Sequence, residues 1–77
     1  MARAPKPNFI ARPAWAFPKG WAIQKSGANR AMREGLTRAD AWKEARRRAR
    51  SAGTAAFLIG MSGYVIEERY FGGQVVV

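Results

Sequence analysis

Residues 37–52, TRADAWKEARRRARSA, constrain this chain more than any other stretch. An α-helix turns about 100° per residue, so Ala41, Ala45, Ala49 and Ala52 fall within about 80° of one another and form a seam of small side chains. Trp42 stands at the edge of that seam, while Lys43, Arg46, Arg47 and Arg50 point the other way. Thr37 is placed to cap the N-terminus. Asp40, three residues on, completes a capping-box-like pair and suits the positive end of the helix dipole. Gly53 is a natural left-handed stop, and the arginines at 46, 47, 48 and 50 suit the negative end. Such a helix has one small, apolar side to bury. The rest of the chain must supply the surface that buries it.

With 77 residues the chain makes one domain. A domain of this size buries only about 60% of its unfolded surface, so its core is thin. There is no cysteine to staple it, and a homodimer is one way to bury more apolar area. There is no histidine either, which removes the commonest metal ligand and the commonest general base at neutral pH. Fourteen Lys and Arg stand against five Asp and Glu, a net charge of +9, and ten of the cations are arginine. That excess suits an anionic partner: nucleic acid, an acidic protein surface or anionic lipid. The plainer alternative is a basic protein whose charges are simply solvated. No apolar run approaches the ~18 residues of a membrane span. The prolines at 5, 7, 13 and 18 interrupt any apolar leader segment, so a cytoplasmic protein that does not enter the membrane is expected.

Residues 1–13 carry three prolines with Arg3, Lys6 and Arg12, and read as an extended, poorly ordered basic arm. The arm either touches phosphates non-specifically or has no role; Phe9 and Ile10 are also suited to docking on a sheet edge. From residue 14 the pattern alternates. Segments 14–17 and 21–26 read as short strands around a Pro18–Gly20 turn, and 30–36 reads as a third, weaker one after a turn at 27–29. After the helix, TAAFLIGM (54–61) has strand length and apolar content. Ser62-Gly63 marks a hairpin, and 63–71 alternates again. The domain is therefore expected over 14–72, with 73–77 as a short apolar tail. The expected fold is α+β: a small antiparallel β-sheet in the element order β-β-β-α-β-β, with one amphipathic helix packed on one face. Trp21, Ile23, Phe57 and Val65 are the candidates for the face beneath the helix.

The order of these signals resembles a small bacterial and phage family, domain of unknown function 2188. The likeness runs from about Trp15 to Gly72. Its pieces are GWAIQKSGANRA, then Thr37, Asp40, Ala41, Ala45, Arg46 and Ala49 at their spacing, then Ser62-Gly63-Tyr64-Val65-x-Glu67 and the closing Phe71-Gly72. Ser62 replaces the usual Asp before the glycine, Asp40 a Glu, and Phe71 a Tyr; these are turn, cap and packing changes. The resemblance implies a compact β-meander, one helix and a closing hairpin. It implies no activity, ligand or catalytic residue.

Catalysis has little to work with. The carboxylates are Glu34, Asp40, Glu44, Glu67 and Glu68. Asp40 reads as a cap and Glu44 as a helix partner for Arg47 or Arg48. Glu67 and Glu68 are strand neighbours that point to opposite faces. No serine has a base beside it and no Gly-rich loop opens a helix, so no enzyme, cofactor or metal site is expected. The arginine cluster is the stronger lead. Lys43, Arg46, Arg47 and Arg50 share one rigid face, and planar guanidinium groups suit phosphate oxygens; Lys25, Arg30 and Arg33 add candidates for contacting DNA or RNA. Arg48 lies nearer the seam, suited either to snorkelling along the sheet or to pairing with Glu67. Aromatic and apolar residues exceed what one helix can cover, which leaves Tyr64, Ile66 and Tyr70 as a candidate partner-binding or dimer surface. The leading expectation is a non-catalytic nucleic-acid-binding protein. The alternative is a phage-type protein-binding inhibitor, for example anti-CRISPR-like, acting on a host or defence complex.

Overall fold

The computed structural model describes residues 6–14 and 20–71, with the elements β1 (Phe9–Pro13), β2 (Trp21–Lys25), β3 (Arg33–Leu36), α1 (Arg38–Ala52), β4 (Ala55–Ile59) and β5 (Val65–Tyr70). The fold is α+β with the expected element order. The five strands form one sheet in the spatial order β3-β2-β1-β4-β5. Neighbouring strands run antiparallel except β1 and β4, which are parallel through Phe9↔Ala56, Ile10↔Phe57 and Ala11↔Leu58. The helix carries the chain from β3 past β2 and β1 to β4, so β4 enters beside β1 running in the same direction.

Strand β1 corrects the sequence reading, which placed residues 9–13 in an arm and the first strand at 14–17. Phe9–Pro13 is instead the central strand of the sheet. Its inward positions Phe9, Ala11 and Pro13 are buried and alternate with half-buried Ile10 and Arg12. Pro13 is tolerated because pairing with β4 stops at Ala11, so at Pro13 the strand has a neighbour on the β2 side alone. Asn8 fixes where the strand begins. Its side-chain oxygen accepts from the Ala55 N–H at 3.1 Å, and its backbone exchanges bonds with Ser26 at 3.0 Å. The Trp15–Phe17 segment, most of the Pro18–Gly20 turn, and the 73–77 tail lie outside the described residues.

The helix matches its sequence signals at both ends. Thr37 accepts from the Asp40 N–H at 3.0 Å. At the other end Gly53 sits at φ 75, its N–H reaches Arg50 O at 3.3 Å, and the Thr54 N–H reaches Ala49 O at 2.9 Å. Those two bonds close a Schellman cap, and only the positive φ that glycine accepts allows them. The seam residues Ala41, Ala45 and Ala49 are fully buried on the sheet, with Trp42 almost so. They pack on Phe9, Ala11, Ile23, Ala56 and Leu58, flanked by Trp21, Met32, Leu36, Ala52 and Phe71.

Of the four candidates for the face under the helix, Ile23 and Trp21 take that place and Phe57 and Val65 do not. Strand β4 is one residue out of the expected phase: Ala56 and Leu58 point at α1, and Phe57 packs edge-to-face on Tyr70 with ring centres 6.1 Å apart. A slip of one residue in parity reverses a strand. A register shift between Leu58 and Ile59 then sets Val65 opposite Ile59, where it is half exposed.

Candidate nucleic-acid interface

The outer side of α1 is built by the same periodicity that buries its alanines. The helix carries six cations, Arg38, Lys43, Arg46, Arg47, Arg48 and Arg50, against two acids, Asp40 and Glu44. Among the described residues, Lys43, Arg46, Arg47 and Arg50 together line one open hollow of about 340 Å³. A second hollow shares Lys43 and Arg47 with it and adds Arg33, Leu36, Asp40 and Glu44. A third shares Arg33 with the second and adds Arg30 and Arg12 together with the acid Glu34. The cations thus chain from the helix across β3 to its rim. Lys25 lines none of the three.

Several of these side chains are held rather than free. Arg46 lies over the Trp42 ring at 5.3 Å, and its Nε donates to Trp42 O at 3.3 Å. Arg50 lies over Phe71 at 5.5 Å, and Arg38 over Trp21 at 5.7 Å. A guanidinium resting on a ring keeps its N–H edges available, and the contact contributes about 0.5–1 kcal/mol when exposed. Glu44 accepts from Arg47 Nη2 and from Arg48 Nε, each at 2.7 Å. Arg48 therefore pairs with Glu44, not with Glu67, whose cation neighbour is Arg69 at 3.8 Å. The hydrogen bond from Arg47 is the main cause that holds the Glu44 carboxyl at about 2; the bond from Arg48 and the attraction of both cations add to it, and partial burial opposes them. Glu44 in turn raises Arg47 further. Lys43 makes no ion pair among the described residues.

The aromatic platforms escaped the sequence reading, as did Arg38. The Trp42–Arg46 spacing of four residues was the one signal that pointed to a platform, because such residues stack on a helix surface. Arg12, read as part of an arm, sits on β1 with its Nε on Gln24 Oε1 at 2.7 Å. The other candidate surface lies apart from the cations, on the β4–β5 hairpin. Tyr64, Ile66 and Tyr70 are 76, 49 and 66% exposed, with Met61 beside them in sequence. The Tyr70 hydroxyl donates to Glu68, and that bond raises the phenol above its usual range.

Fold and surface together define a small, strongly basic two-layer α+β domain with a cation-lined helix. The chain belongs to the family described as an uncharacterised protein conserved in bacteria, domain of unknown function 2188, whose model matches residues 16–70. The match begins after β1, so the central strand lies outside it. No curated protein and no solved structure matched the chain. No helix among the described residues is long and apolar enough to cross a membrane.

Proposed function

We propose that this protein is a non-catalytic binder of nucleic acid that contacts phosphates through the outer face of α1, acting in the bacterial cytoplasm. The observation that carries the reading is the shared hollow: Lys43, Arg46, Arg47 and Arg50 converge on one concavity, and no acid lines it among the described residues. Arg46 and Arg50 rest on rings and Arg47 is braced by Glu44, so ordering these side chains on a phosphate costs less rotamer entropy than ordering free ones. Arg33 and Arg30 extend the path toward the β3 edge. Contacts of this type position a backbone without reading bases, so binding is weakly sequence-dependent and strongly salt-dependent. Retention of short DNA and RNA oligonucleotides at low and raised salt tests it. The Arg46→Glu, Arg50→Glu double variant is expected to lose retention while keeping the far-UV CD of the parent. Equal retention by parent and variant contradicts the reading.

A second reading, a phage-type inhibitor that binds a host protein, is favoured by the exposed Tyr64 and Tyr70 on the hairpin. A pull-down from nuclease-treated bacterial lysate separates the two. A partner kept after nuclease and lost on Tyr64→Ser supports the inhibitor.

A further inference from the structure

Strand β1 lies at the middle of the sheet and carries one cation, Arg12. Phe9 and Ala11 pack into the core beneath α1, and Arg12 alternates with them, so it stands on the face of the sheet away from the helix. The residue is half-buried. Charges in such places are normally paired, because taking them out of water is costly. All five acids of the chain are among the described residues, and none lies within ion-pair distance of Arg12. Neutral acceptors hold it instead. Its Nε donates to Gln24 Oε1 at 2.7 Å and its Nη1 to Pro13 O at 3.1 Å. Gln24 is fixed in turn, its Nε2 donating to Ala28 O. A guanidinium has more N–H donors than those two bonds use, so Arg12 is an oriented cation with donors to spare.

Arg12 lines a hollow of about 480 Å³ together with Arg30, Arg33, Asn29 and one acid, Glu34. Glu34 makes no ion pair with any of the three arginines, and the hollow stays positive. Arg33 is the junction. It pairs with Ile23, which lies under the helix, so Arg33 is on the α1 face of the edge strand β3, where it lines the hollow shared with Lys43 and Arg47. The cations therefore run from the outer face of α1, over the sheet edge at β3, to the opposite face at Arg12. We infer that a single-stranded nucleic acid follows this route, and that Arg12 and Arg30 hold one of its phosphates beyond the edge.

The inference rests on the reading of α1 as a phosphate-contacting face, and adds the class of ligand and its far contact. The class follows from the turn. Two faces of one sheet are joined across its edge, so a backbone that meets both has to bend around β3. A duplex, with a persistence length of about 150 bp, resists bending on the scale of a small domain; a single strand does not. The rings along the helix end of the route, Trp21, Trp42 and Phe71, are each covered by an arginine. Contact is therefore with phosphates, not through stacked bases, and is indifferent to sequence.

Fluorescence anisotropy of the full chain with single strands of about 4 and about 16 nucleotides, and with a duplex of the longer sequence, tests the inference. Lys43 to Arg50 spans about 10 Å of helix, so the short strand occupies the α1 hollow alone and the long one reaches past β3. Arg12→Gln should leave the short strand and the duplex unchanged. It should weaken the long strand and make its salt slope shallower by about 0.7. Gln24→Glu gives Arg12 an acid partner without removing a cation. It should weaken the long strand in the same way while keeping the CD and melting of the parent, which separates the effect from damage to the fold. A long strand held by both variants as tightly as by the parent overturns the inference and leaves the α1 reading standing, provided that Arg46→Glu, Arg50→Glu still abolishes binding. A duplex that loses as much as the long strand assigns Arg12 to a duplex laid against the sheet edge, and overturns the single-strand route. Inorganic phosphate that shifts the Arg12 Nε–H resonance in NMR at concentrations as low as the long strand does assigns the hollow to free phosphate, with the same consequence. A parent that binds no oligonucleotide removes the α1 reading first, and the route with it.

Discussion

The outer face of α1 and the β4–β5 hairpin are both exposed, yet they are built from opposite chemistry. On the helix each arginine is steered: Arg38 by Trp21, Arg46 by Trp42, Arg50 by Phe71, and Arg47 and Arg48 by Glu44. On the hairpin, Met61, Tyr64, Ile66 and Tyr70 present apolar area, and the Tyr70–Glu68 hydrogen bond is the side-chain bond that orders it. The difference separates two kinds of association by their response to salt. Phosphate contacts weaken steeply as counterions compete. Apolar contact is insensitive to salt, or strengthens as the net charge is screened. A domain of 77 residues thus carries two surfaces that one titration can tell apart.

The largest expected effect removes both surfaces together. Leu58 is fully buried between the sheet and α1, so Leu58→Ala should cost about 2–5 kcal/mol, a large part of a small domain's stability. Denaturant unfolding checks this; a loss well under 1 kcal/mol would mean that the helix does not depend on β4. Next comes Ala45→Leu, which pushes α1 off the sheet at the seam. It should cost about 1–3 kcal/mol and weaken nucleic-acid retention only in proportion to the unfolded fraction. The Arg46→Glu, Arg50→Glu pair should separate the surfaces: oligonucleotide binding goes, the hairpin surface is untouched, and stability falls by about 0.5–1 kcal/mol per lost ring contact. Tyr64→Ser should touch the hairpin surface alone, leaving oligonucleotide affinity unchanged and stability within about 0.5 kcal/mol of the parent.

The smallest effect is a pH response confined to the helix. Glu44 titrates at about 2 in the folded chain against an ordinary 4.5. Its folded value lies below its unfolded one, so its contribution to stability is complete above about 4.5 and is lost as pH falls toward 2. Following the Glu44 side-chain carboxyl by NMR should show that low midpoint, and Arg47→Gln should raise it.

The helix was legible because its information is local. Thr37, Asp40, the alanine spacing and Gly53 each act within a turn or two, and the structure uses all of them. The hairpin was legible for the same reason, through Ser62-Gly63. Strand β1 was not, because its place depends on partners far away: Asn8 bonds to Ala55, and Phe9–Ala11 pair with Ala56–Leu58. Three nearby prolines masked an alternation that is plain once β2 and β4 are alongside. Phe57 failed for a related reason, since the apolar run 54–61 has no internal phase and only the fold chooses which parity faces α1. At the candidate site, the convergence of Lys43, Arg46, Arg47 and Arg50 follows from helical spacing. Their continuity with Arg33 and Arg30 depends on where β3 lies beside the helix, which spacing along the chain does not encode.

The most direct test of the central claim is the salt dependence of oligonucleotide affinity, measured by fluorescence anisotropy for the parent chain and for Arg46→Gln, Arg50→Gln. If this face of α1 meets phosphates, the parent's log affinity falls linearly with log salt, and the variant's slope is shallower by about 0.9 for each contact removed on duplex DNA. Identical slopes for the two proteins would contradict the account, because the guanidinium groups at 46 and 50 would then displace no counterions.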